Sequence, residues 1–110
     1  RIKRVNYPGL HTHPGQDIAA RQMSGFGGIL SFELADDIDP VAYLRRLELV
    51  NCAISLGGVE STICQPVATS HEKMAVEERR RLGITDGLLR LSVGIEDAQD
   101  ILADLLRALD

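Results

Sequence analysis

The chain is predicted to fold as an α+β domain, a small and mostly antiparallel sheet covered on one side by helices. Two observations carry this. Short stretches such as Leu30-Ser31-Phe32-Glu33-Leu34 alternate apolar and polar residues, the period of a half-buried strand, whereas Ala98, Ile101, Leu102, Leu105 and Leu109 trace one apolar stripe at helical spacing. Such segments follow one another as strand, helix, strand, helix, two strands, short helix, strand and helix, and helices with a single apolar face need one sheet face to cover. The 110 residues suffice for one compact domain, and the whole of 1–110 is expected to be that domain.

Residues 1–7 carry Ile2, Val5 and Tyr7 and stop at Pro8-Gly9, which predicts a short strand or extended arm at a sheet edge. Pro14 begins a first helix over about 14–24, closed at Ser24-Gly25. The glycines at 25, 27 and 28 follow a helix and precede a strand, the reverse of a dinucleotide-binding fingerprint, and are assigned no phosphate role. After the strand at 30–34, Asp39 and Pro40 form a cap and first turn, and Val41, Leu44 and Leu47 extend a second helix over roughly 40–49. Cys52, Ile54 and Leu56 alternate with Ala53 and Ser55, predicting a strand that runs into Gly57-Gly58. Paired glycines there imply a bend, or a place where a ligand or another backbone comes close. A strand at 60–65, a loop at 67–75, a charged helix at 76–82 capped by Gly83, a strand at 88–93 and the terminal helix complete the chain.

Composition limits the function classes. The formal charge of −4 gives no footprint for nucleic acid, and the basic run Arg79-Arg80-Arg81 follows Glu77-Glu78, as on a solvated helix face. No apolar run approaches the length needed to span a bilayer, and no signal-peptide profile is present, so no membrane partner and a cytoplasmic location are expected. Cys52 and Cys64 fit neither a disulfide framework nor a C-x-x-C site and are expected to be free, buried thiols, and no metal site is assigned. The chain begins with Arg1 in strand-like sequence, so a longer protein is expected.

Arg90 is the leading candidate for chemistry. A guanidinium between Leu89 and Leu91 in an apolar strand either faces a cavity, where its planar fork suits a carboxylate, or is held in an internal ion pair with Glu60, Asp86 or Glu96. Ser55 is open in the same way between binding an anion and bonding to backbone. No nucleophile elbow supports a hydrolase built on Ser70 and His71, and neither Lys3 nor Lys73 sits in surroundings that would activate an amine.

Tyr7-Pro8-Gly9-Leu10, Arg21-Gln22-Met23-Ser24-Gly25-Phe26-Gly27-Gly28, Ser55-Leu56-Gly57-Gly58-Val59-Glu60-Ser61 and Gly83 to Asp97 together resemble one family. It is the pyridoxal-phosphate enzymes of cysteine and methionine metabolism, the transsulfuration family of cystathionine γ-synthase, cystathionine β- and γ-lyases and methionine γ-lyase. The likeness runs from about Tyr7 to Leu109. It implies the C-terminal domain of a fold-type I enzyme, a small antiparallel sheet with helices outside, packed on a large cofactor-binding domain in a homo-oligomer, a dimer of dimers.

The resemblance places Arg90 where the family grips the substrate α-carboxylate, and Ser55 at a serine lining the same pocket. Ser70 falls where many relatives carry Thr in a Met-Thr-His run, here reading Thr69-Ser70-His71. Ile54 stands where enzymes acting on cystathionine often carry Glu, which implies a substrate without a distal charge. The Schiff-base lysine and the other residues that hold pyridoxal 5'-phosphate belong, in the family, to the missing N-terminal cofactor domain. No cofactor-binding and no catalytic residue is therefore assigned in this chain. The implied function is C–S bond cleavage in a sulfur amino acid, by a cystathionine or methionine γ-lyase-like enzyme or a β-lyase. Cystathionine γ-synthase or a homoserine-ester sulfhydrylase is the alternative, and a non-catalytic binding or assembly domain is the reading of a different class.

Overall fold

In the computed structural model, which describes residues 1–69 and 71–110, the strands are β1 (Ile2–Asn6), β2 (Ile29–Leu34), β3 (Asn51–Cys52), β4 (Thr62–Cys64) and β5 (Leu88–Ser92). The α-helices are α1 (Gln16–Gln22), α2 (Pro40–Arg46), α3 (Val76–Arg81) and α4 (Ala98–Arg107), and one 3-10 turn spans Pro66–Ala68. Among the described residues the five strands form one sheet in the order β1-β2-β5-β4-β3. Every pairing is antiparallel except that of β3 with β4, so the α+β reading with a mostly antiparallel sheet holds, and β1 is an edge strand as expected.

The period-two pattern divides the sheet into two unlike faces. Leu30 pairs with Leu91, Phe32 with Leu89 and Ile63 with Leu91, which sets these side chains on one face. That face packs against Tyr43 of α2, Ile101 of α4, and Ala108 and Leu109 just after α4 in one apolar core. Each fully buried Leu or Ile there stabilises the fold by about 1.5–3 kcal/mol relative to exposure. Phe32 and Tyr43 meet edge to face at 6.3 Å between centroids, and the Tyr43 hydroxyl donates to the Leu105 carbonyl at 3.0 Å. Burial, then the nearby Asp104 charge, pushes the Tyr43 phenol up to about 12. Helices α1 and α3 contribute no buried residue, so α2 and α4 alone cover the sheet. No helix among the described residues is long and apolar enough to cross a membrane.

Helix ends follow their caps. Asp39 accepts the Val41 amide at the start of α2, and Asp97 accepts the amides of Gln99 and Asp100 at the start of α4. Helix α2 stops at Arg46 rather than near residue 49, because the Asp104 carboxylate on α4 takes the amides of Glu48, Leu49 and Val50, each at 2.9 Å. Pro66 opens a 3-10 turn whose Val67 and Ala68 lie in the stretch expected to be a loop.

Two expectations are corrected. The strand expected through Ile54 and Leu56 ends at Cys52. Beyond it the chain leaves the sheet as a loop over 53–61, in which the Ile54 and Ser55 carbonyls and the Gly57 amide are met by side chains. Cys64 is buried on β4 but Cys52 is exposed, because β3 is an edge strand of two residues and Cys52 is its last; both are free thiols.

Candidate carboxylate site on the open sheet face

The second sheet face carries the polar residues of the same strands. Ser31 of β2 and Cys64 of β4 both pair with Arg90 of β5, and Asn6 of β1 pairs with Ser31, donating from Nδ2 to its Oγ at 2.9 Å. One row thus runs Asn6, Ser31, Arg90, Cys64, with Arg90 on the central strand. The next row toward the loop pairs Ser92 with Thr62, both buried.

Arg90 reaches from this face to the loop. Its Nη2 donates to the Ile54 carbonyl at 2.5 Å and approaches the Ser55 carbonyl at 3.3 Å. Its Nε is buried and has no hydrogen-bond partner among the described residues. The internal ion pair weighed from the sequence is not formed. Glu60 accepts from Asn51, Glu96 accepts from Ser61, and no carboxylate among the described residues lies within ion-pair distance of Arg90. A buried N–H of a cation left unpaired is costly, and an arriving carboxylate would supply the missing acceptor together with a compensating charge.

Ile54 and Ser55 therefore do meet Arg90, through backbone carbonyls. The Ile54 side chain is 59% exposed and projects from the loop, as do Leu56 and Val59. Ser70 lies outside the described residues. Backbone geometry explains Gly57, whose φ is +72°, but not Gly58, and a Cβ at either would meet nothing within 4 Å. The close approach is at Gly94, where a Cβ would stand 2.2 Å from the Val59 carbonyl oxygen.

Sequence reasoning missed the residues that hold the loop. Thr62 Oγ1 donates to the Ser55 carbonyl at 2.6 Å, and Ser92 Oγ accepts the Gly57 amide at 2.9 Å. Glu96 accepts both the amide and the hydroxyl of Ser61 at 2.8 Å, and Ser61 Oγ in turn accepts the Gly94 amide. The Ser61 amide and then its hydroxyl hold the Glu96 carboxyl below its ordinary range. One signal was available: Ser92 shares the period-two face of Arg90.

Neither lysine is placed as an activated amine. Lys3 is bound to Asp36 at 2.9 Å and lies 3.6 Å from Glu33, and the Asp36 contact raises its pKa, the opposite of an activated amine. The other lysine, Lys73, is exposed.

The domain thus packs one sheet face under helices and presents an incompletely paired arginine on the other. The family model for Cys/Met metabolism PLP-dependent enzymes matches residues 1–110, and the chain belongs to that family. It is 48% identical over its whole length to L-methionine gamma-lyase of Fusobacterium nucleatum subsp. polymorphum, of which it covers 28%. It superposes with a TM-score of 0.93 on the crystal structure of a cystathione gamma lyase from Micromonospora echinospora, at 44% identity, covering 98% of this chain and 28% of that one. A cystathionine gamma synthase from Xanthomonas oryzae pv. oryzae, solved with cystathionine, gives a TM-score of 0.91 at 49% identity over the same shares. The chain thus spans less than a third of the length of the relatives it matches.

Proposed function

We propose that this chain is the C-terminal, substrate-carboxylate-binding domain of a larger cytoplasmic, homo-oligomeric transsulfuration enzyme that cleaves a C–S bond of a sulfur amino acid. The observation that carries the reading is the buried, unpaired Nε of Arg90 beside an Nη2 already fixed on the loop. Membership of the family and the similarity to lyases support it.

Arg90 binds the α-carboxylate of the amino acid and fixes its orientation. The Ile54 and Ser55 carbonyls hold one arm of the guanidinium, so little conformational freedom is lost when substrate arrives. Ile54 supplies an apolar wall where the substrate side chain extends, which favours one without a distal charge. Ser70 is assigned to the same pocket from the family resemblance. Pyridoxal phosphate, held by a domain outside this chain, supplies the electron sink for carbanion chemistry at Cα.

The test is Arg90→Ala in the holoenzyme that contains this chain. Loss of the charge pair reduces kcat/KM by about 2–5 kcal/mol equivalents, mainly through KM. Unchanged KM and kcat would remove the role.

A further inference from the structure

The loop that holds Arg90 is itself held by two hydroxyls in the sheet. Thr62 and Ser92 are Cα partners on β4 and β5, lie on the same face as Arg90, and are 7% and 2% exposed. Both bond to loop backbone: Thr62 Oγ1 to the Ser55 carbonyl, which Arg90 also approaches, and Ser92 Oγ to the Gly57 amide two residues on. The segment between these two anchors includes Leu56, whose side chain is 54% exposed. Apolar packing from this chain therefore does little to hold the segment, and the hydroxyls with Arg90 set where the Ile54 and Ser55 carbonyls lie.

We infer that Thr62 and Ser92 are positioning residues of the carboxylate site: they fix the loop carbonyls that aim the Arg90 guanidinium, and so set discrimination for a carboxylate without touching it. The inference rests on the carboxylate role of Arg90. Removing either hydroxyl keeps the guanidinium but lets its backbone acceptors drift, spreading the direction in which Nε points. Affinity for a carboxylate then falls, while affinity for the rest of the amino acid is kept.

The experiment uses the holoenzyme that contains this chain and two probes, L-norleucine and L-norleucinamide, which lack a C–S bond to cleave. Their binding is followed by the change in cofactor absorbance, and the ratio of the two dissociation constants isolates the carboxylate. In Thr62→Val and in Ser92→Ala the preference for norleucine falls about five- to twentyfold, corresponding to roughly 1–2 kcal/mol. Thr62→Ser, which keeps the hydroxyl, restores it to within about twofold. Ser92→Ala deletes a single oxygen and serves if Thr62→Val does not fold. Arg90→Lys is the reference. A preference lost in Arg90→Lys but intact in both hydroxyl variants overturns this inference alone. A preference intact in Arg90→Lys overturns the reading beneath it as well. Equal loss in Thr62→Val and Thr62→Ser assigns the effect to packing and also overturns the inference.

Discussion

The Asp104 carboxylate accepts the amide of Val50 across 54 residues of sequence, Oδ2 to N at 2.9 Å, and with it the amides of Glu48 and Leu49. These three donors follow the last turn of α2, and Val50 directly precedes β3, so one side chain of α4 sets where the chain enters the sheet and approaches the loop that meets Arg90. Burial pushes the Asp104 carboxyl up. The amides of Val50, Glu48 and Leu49, with the Arg107 guanidinium, outweigh it and hold the carboxyl below its ordinary range. Asp104→Asn replaces an acceptor-only group with one that presents an NH2 to backbone donors. It is expected to cost about 2–4 kcal/mol, from weakened charge-assisted bonds and a buried donor left unpaired. Urea denaturation at neutral pH checks this.

The same carboxyl predicts a pH dependence. Its folded pKa lies below the unfolded value, so its contribution is fully present above the unfolded pKa near 4 and is lost as pH falls through the folded pKa. Asp104→Asn should therefore flatten the fall in stability below about pH 4. An acid limb of the same steepness in both proteins would count against the assignment.

At the alkaline end the sign reverses. Tyr43 has its phenol raised to about 12, so the folded form resists deprotonation, and its stabilisation is lost as pH rises from the unfolded value near 10 toward 12. Tyr43→Phe removes the bond to the Leu105 carbonyl at a cost of about 1 kcal/mol and should abolish that part of the alkaline loss. Thermal melts of both proteins between about pH 9 and pH 12, in steps of roughly half a unit, would show it.

The elements legible in the sequence are those whose pattern is local. The stripe of α4, the alternation of β2 and β5 and the Asp39-Pro40 start of α2 each follow from neighbours within a few residues. Arg90 was legible for the same reason, a charge interrupting an apolar strand. The loop at 53–61 was not, since Cys52, Ile54 and Leu56 keep the strand period while the pairing with β4 ends at Cys52. What holds it comes from Thr62, Arg90, Ser92 and Glu96, and no spacing rule ties those residues to the loop. The early end of α2 is nonlocal in the same sense, because its cause lies on α4.

Gly94 and Gly58 separate two reasons for a glycine. A Cβ at Gly94 would stand 2.2 Å from the Val59 oxygen and 2.6 Å from the Glu60 carbonyl carbon, both backbone atoms that move only with the loop. Gly94→Ala is expected to destabilise by about 1–3 kcal/mol, as overpacking does. Gly58 has open space and no positive φ, so Gly58→Ala should be neutral or stabilising by up to about 1 kcal/mol. Chemical denaturation of the two variants side by side decides it, and equal destabilisation would contradict the contact geometry.

Ile54 tests the pocket wall without disturbing the fold. Its side chain is 59% exposed and its structural contribution is the backbone carbonyl that receives Arg90, which any residue supplies. Ile54→Glu should therefore change stability by no more than about 0.5 kcal/mol. On the pocket-wall role proposed for Ile54, a carboxylate there would meet the distal ammonium of cystathionine in the holoenzyme and would lose apolar contact with a thioether chain such as that of methionine. A favourable exposed charge contact and an opposing loss of burial are each about 1 kcal/mol, so the ratio of kcat/KM for cystathionine over methionine should rise by on the order of tenfold or more. Arg90 is untouched by the change, so both substrates keep their carboxylate anchor and the shift reports on the side-chain end alone. A ratio unchanged in a stable variant would place the side-chain pocket away from Ile54.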